Sequence, residues 1–190
     1  LYRYRAPQKN WTLCIATKGK PQSQSYSLGG FRIVPEERAS IPGFSPEREA
    51  IGLACGMDEK VFWSKLIRVG GPRALQALDR VVGGKCVFLT TADARVGKPH
   101  DIEALSFAVA CLNDFEAHAG VLVTTGEDLG HGVLSDGETT SLQFLHDHFH
   151  GSVLADTSLP TAEGNFYTLR GMLRAANIPL KNARIGLIGC

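Results

Sequence analysis

Two stretches of the 190-residue chain set an ionisable side chain at the border of an apolar run. Gly83-Gly84-Lys85 leads into Cys86-Val87-Phe88-Leu89, and Glu127-Asp128 follows Val121-Leu122-Val123-Thr124-Thr125. A carboxylate at the carboxyl end of a buried strand stands where open parallel sheets hold their ligands. A partly buried lysine at a sheet edge can be tuned to exchange protons near neutral pH, which an arginine cannot do. Gly29-Gly30 interrupts an apolar stretch from Tyr26 to Val34, and glycines inside a strand mark a bulge or a close approach of backbone or ligand. His131, three residues after Asp128, is placed to fall in the same cleft as a supporting group. His146, His148 and His150 alternate as metal ligands on a strand would, but they sit at a helix end, where a solvated cluster is the expectation and no metal is expected.

The elements that must hold these residues can be read from hydrophobic period and punctuation. Trp11 to Thr17 reads as a strand, Lys18 to Ser25 as a polar turn region, and Tyr26 to Val34 as a strand broken by its glycine pair. Ser45-Pro46-Glu47 is a helix start, and the helix should turn Ala50, Leu53, Ala54 and Met57 inward. Gly70-Gly71-Pro72 breaks that helix, Arg73 to Val82 resumes as a shorter one, and Gly83-Gly84 ends it before a buried strand over Cys86 to Leu89. Further helices are expected over Asp101 to Asn113, Thr139 to His148 and Thr161 to Asn177, with strands over Val121 to Thr125 and Ile185 to Ile188. Helices alternating with short apolar strands predict an α/β three-layer sandwich, its mostly parallel sheet covered by helices on both faces.

Composition narrows the class of partner. Twenty basic against nineteen acidic residues leave a formal charge of +1, without the basic excess of a nucleic-acid surface. No apolar run is long enough to span a bilayer, so no membrane partner is expected. Five scattered cysteines, with no C-x-x-C pair, read as reduced thiols in a cytoplasmic protein. The chain opens on Leu1 and closes on Ile185-Gly186-Leu187-Ile188-Gly189-Cys190, an apolar strand running into glycine, which reads as a piece of something longer.

Four segments in order, Leu28-Gly29-Gly30-Phe31-Arg32, Gly56-Met57-Asp58-Glu59-Lys60, Gly83-Gly84-Lys85 and Gly126-Glu127-Asp128-Leu129-Gly130, together resemble the family of glutamate, leucine, phenylalanine and valine dehydrogenases. A fifth, Thr161-Ala162-Glu163-Gly164, is similar to the start of the helix that in that family leads across to the nucleotide-binding half. The resemblance implies that residues 1–180 form the substrate-binding and catalytic domain and that residues 181–190 begin a Rossmann domain. The parent would be an NAD(P)-dependent oxidoreductase that deaminates an L-amino acid to a 2-oxo acid, and a homo-oligomer is expected.

The same resemblance assigns roles. Lys60 would pair with the substrate carboxylate, with Met57 beside it, and Gly29 and Gly30 would let the backbone approach the substrate. Lys85 would activate water, and Asp128 would exchange protons with the amine. Thr161 and Gly189 would touch the NAD or NADP. Two positions compete for the catalytic lysine. Gly70-Gly71-Pro72-Arg73 matches the family's spacing from Lys60 more closely but carries arginine, whereas Lys85 leads into a buried strand as the family's lysine does. Lys85 is preferred. Two rival readings stand beside this one: a degenerate relative that binds a small carboxylate or serves assembly, and the substrate domain of a shikimate or methylenetetrahydrofolate type of dehydrogenase.

Overall fold

The computed structural model describes residues 1–68, 79–155 and 158–187. Contacts divide the chain into two compact units, Leu1–Leu154 and Ala155–Cys190. The first holds a six-stranded sheet built from β1 (Tyr2–Ala6), β2 (Trp11–Thr17), β3 (Tyr26–Leu28), β4 (Phe31–Ile33), β5 (Val81–Leu89) and β6 (Leu122–Thr124). Its helices are α1 (Glu36–Ala39), α2 (Pro46–Leu66), α3 (Asp101–Ala119) and α4 (Ser141–His148). The second carries α5 (Ser158–Ala175), whose side chains are largely exposed within that unit.

The expected mostly parallel sheet in a three-layer sandwich is corrected by the strand pairing. β3 pairs parallel with β5 and β6, and β4 pairs parallel with β5, but β1 with β2 and β2 with β5 run antiparallel. The sheet is mixed and strongly curled, a half-barrel. The cause lies at the amino terminus. Tyr2-Arg3-Tyr4-Arg5-Ala6 alternates apolar and basic residues, a half-buried strand pattern, and it returns through a tight link as a hairpin with β2. Tyr2, Tyr4 and Ala6 pack against the core, with the Tyr2 ring edge-on to Phe115 at 4.8 Å between centroids.

A second correction concerns Arg73 to Val82, which was expected to be helical. Arg73 to Leu78 lie outside the described residues, and Val81 and Val82 belong to β5, which runs unbroken through Gly83-Gly84-Lys85. The glycine pair does not end a helix; it lets one lie close. A Cβ on Gly83 would stand 2.5 Å from the Ala54 carbonyl oxygen of α2, and the Gly83 N–H donates to Asp58 Oδ1 at 2.9 Å. Of the expected last strand, Ile185 to Leu187 carry no strand hydrogen bonding, and Ile188 lies outside the described residues, as do Gly70-Gly71-Pro72 and Gly189.

Caps mark the ends of several helices. Ser45 accepts a hydrogen bond from the Arg48 N–H at the start of α2, and Thr140 does the same for Gln143 in α4. α3 runs six residues past its expected end and stops at Gly120 in the left-handed region. Side chains alternate across the sheet. Leu13, Ile15, Phe31, Ile33, Cys86 and Phe88 join Leu105, Leu112 and Phe115 of α3 in the larger core. Cys14, Ala16 and Val87 join Ala50 and Ala54 of α2 in a smaller one. Alternation therefore sends Arg32, between Phe31 and Ile33, and Lys85, two residues before Val87, toward α2.

Candidate active site

The register along β5 explains how the glycines meet the lysine. β3 and β4 pair with β5 in one continuous register, interrupted only at Gly29-Gly30, which lie beside Gly84 and Lys85. A Cβ on Gly29 would overlap the Gly84 carbonyl oxygen. One on Gly30 would stand 2.9 Å from Lys85 Nζ and 3.2 Å from the Asp128 Cβ. Only residues without a side chain allow strand and lysine to approach this closely.

Backbone pairing also places Asp128. The loop after β6 runs along β4, with the Phe31 N–H donating to the Gly126 carbonyl at 3.0 Å and the Ile33 N–H donating to Leu129 at 3.0 Å. Glu127 and Asp128 are thus held beside Arg32, the residue between those two donors. The loop turns away at Gly130, whose φ of +83° favours glycine and whose Cβ would collide with the Ile33 carbonyl.

The outcome is a largely buried chain of charges. Lys85, 6% exposed, forms an ion pair with Asp128 Oδ2. Arg32 grips the same carboxylate side-on, Nε to Oδ2 at 3.0 Å and Nη2 to Oδ1 at 3.2 Å. Its remaining nitrogen, Nη1, pairs with Glu49 of α2, and Arg38 of α1 donates through Nε to both Glu49 oxygens at 2.7 Å. Burial pushes the Asp128 carboxyl up, but hydrogen bonds from Arg32 and Lys85 outweigh it and hold the group below the usual carboxylate range. Glu49 is likewise pushed up by burial and drawn down further by Arg38 and Arg32. Three cations face two anions, so the chain carries one positive charge in excess.

His131 packs beside this group without entering the ion pairs. Its Nε2 lies 2.6 Å from the Phe31 carbonyl oxygen and therefore donates; Nδ1 lies 2.9 Å from Ser141 Oγ and accepts. Burial lowers its pKa and favours this neutral ring. Cys86, next to Lys85 in sequence but on the opposite face, is fully buried, and burial pushes its thiol up to about 12, which removes it as a nucleophile.

Of the residues singled out in the sequence, the fold brings Gly29, Gly30, Lys85 and Asp128 together. Lys60 is exposed on α2, its backbone carbonyl accepting from Ser64 Oγ at 2.8 Å, and Met57 is half-buried on the same helix. Thr161 is exposed on α5 in the second unit; Arg73 and Gly189 lie outside the described residues. The histidines at the end of α4 diverge: His148 bonds the Phe144 carbonyl and stacks on that ring, while His150 pairs with Glu116. Among the described residues no group of His, Cys, Asp or Glu is arranged to hold a metal, and no helix is long and apolar enough to cross a membrane.

Sequence reasoning gave no role to Arg32, Glu49 or Arg38. A signal was present for Arg32, because a charged residue between two inward-facing apolar residues of a short strand must meet a partner on the other face. No local pattern ties Glu49 or Arg38 to it. No protein-family model matches the chain, and no curated protein matches it.

Proposed function

We propose that this chain is the substrate-binding and catalytic part of an NAD(P)-dependent amino-acid dehydrogenase. The single observation that carries the reading is the buried Lys85–Asp128 pair directly against the side-chain-free Gly30. Oxidative deamination needs an acid/base group for the substrate amine and a cation for the water that attacks the imine, in a place shielded from bulk solvent. In this reading Asp128 receives the amine proton, and Lys85 hydrogen-bonds and polarises the water; an ammonium can also release a proton, which a guanidinium does not. Gly30, having no side chain, lets β4 lie directly against Lys85 and Asp128. A nicotinamide dinucleotide, when bound, would accept the hydride. Gly189, which the resemblance assigns to it, lies outside the described residues, so no step is derived through it.

The excess positive charge of the Lys85, Asp128, Arg32, Glu49 and Arg38 chain favours a second reading, a protein that binds a small carboxylate without turnover. One experiment separates the two. The complete reading frame is purified and mixed with NAD or NADP and a panel of L-amino acids, and reduced nicotinamide is followed by absorbance. Amino-acid-dependent reduction that is lost in Lys85→Ala supports the dehydrogenase. Saturable binding of an amino acid or 2-oxo acid by calorimetry, with no reduction under any pairing, would assign the protein to the second reading.

A further inference from the structure

We propose that Arg32 is the positioning residue for Asp128, presenting one chosen carboxylate oxygen to the substrate amine; the inference rests on the dehydrogenase reading above. The geometry distinguishes the two oxygens. Oδ2 accepts from both Arg32 Nε and Lys85 Nζ, whereas Oδ1, among the described residues, accepts from Arg32 Nη2 alone. A carboxylate oxygen can accept two hydrogen bonds, so Oδ1 keeps an acceptor direction for an incoming ammonium while Oδ2 is filled. A planar fork taking both oxygens also sets the plane of the carboxylate, which a single lysine contact cannot do.

The fork is itself braced. Arg32 comes from β4, and its third nitrogen is tied to Glu49, in the first turn of α2, which Arg38 holds from the far side. The guanidinium is therefore set by two helices and a strand before any substrate arrives. The charged groups facing Asp128 are Arg32 from β4 and Lys85 from β5, with Glu127 and His131 on its own loop and Glu49 behind Arg32. Removing Arg32 orphans neither anion, since Asp128 keeps Lys85 and Glu49 keeps Arg38. A variant at this position is expected to fold.

The test uses Arg32→Met and Arg32→Lys with two readouts. In the 190-residue chain the Asp128 carboxyl is titrated by carbon NMR; in the complete protein kcat and kcat/KM are measured against pH. A neighbouring cation depresses a carboxyl by roughly one to three pH units, so Arg32→Met should raise the Asp128 titration, and with it the acid limb of kcat/KM, by about one unit or more. Arg32→Lys restores the charge without the fork. It should return the limb toward the wild-type position while kcat stays about tenfold or more below wild type, because the carboxylate plane is no longer set. Glu49→Gln disturbs the same network but leaves the fork on Asp128, and it should not raise the limb. An unshifted limb in Arg32→Met, or full kcat in Arg32→Lys, overturns the positioning role while leaving the dehydrogenase reading intact. Wild-type protein without turnover overturns that reading and this inference together.

Discussion

Gly30 and Lys85 are packed so closely that a methyl group on the glycine would stand 2.9 Å from the lysine Nζ, tighter than ordinary van der Waals contact. The nearest obstacle is the far end of a flexible side chain, with the Asp128 Cβ at 3.2 Å and the Glu127 carbonyl oxygen at 3.3 Å beside it, so Gly30→Ala is expected to fold while pushing Lys85 off Asp128. Gly29→Ala meets the Gly84 backbone instead, which cannot step aside. Thermal melts should show a shift of a few degrees at most for Gly30→Ala and a loss on the order of 2 kcal/mol or more for Gly29→Ala, by overpacking against a rigid neighbour. Equal melting temperatures would contradict the register that places these glycines on β5.

Replacing Asp128 with Asn keeps the shape of the side chain and removes its capacity to take a proton. In the complete protein turnover should fall on the order of a hundredfold to ten-thousandfold, the usual cost of one positioned acid/base group. A near-normal rate would reduce Asp128 to a partner for Arg32 and Lys85. The Lys85→Ala variant should likewise abolish turnover, with Asp128 still held by the Arg32 fork, so a folded but silent protein is the expected result.

His131 makes the stability of the first unit depend on pH. Burial depresses its folded pKa below the ordinary 6.5, so the unfolded chain binds the extra proton more readily. The stability from this group is fully present above the unfolded pKa and is lost as pH falls through the folded one. Melting temperature should therefore drop between about pH 7.5 and about pH 5 in the wild type, and drop less in His131→Gln. Equal slopes for the two proteins would assign the acid sensitivity to the carboxylates instead.

Asp101 shows how loops around the sheet are anchored. Its buried carboxylate accepts from the N–H groups of Gly97 and Ser135 at 2.8 Å, from the Ile102 N–H at 2.7 Å and from the Ser135 hydroxyl at 2.6 Å. Asp101→Ala would leave several donors without a partner, and each hydrogen bond to a charged group contributes about 1.5–3 kcal/mol. A destabilisation on the order of 3 kcal/mol in urea titration is expected. A loss well under 1 kcal/mol would show that water replaces the carboxylate.

The division between sequence and tertiary structure is visible in single residues. Glycine chemistry and the resemblance of ordered motifs singled out Gly29, Gly30, Lys85 and Asp128, which the fold brings together, and equally Lys60, which it leaves exposed on α2. The Ser45 cap fixed the start of α2 locally. The mixed sheet was not legible in that way. The alternation in Tyr2 to Ala6 marks a strand but does not say which neighbour it pairs with or in which direction, and that depends on backbone partners far along the chain. Gly83-Gly84 reads locally as a helix stop, and only α2 lying against β5 shows the pair to be part of a strand over which a helix packs. Arg32, Glu49 and Arg38 are unremarkable charges in sequence. They became one network because β4, α1 and α2 fold onto the same face of the sheet, and a buried charge must find its opposite wherever the fold supplies one.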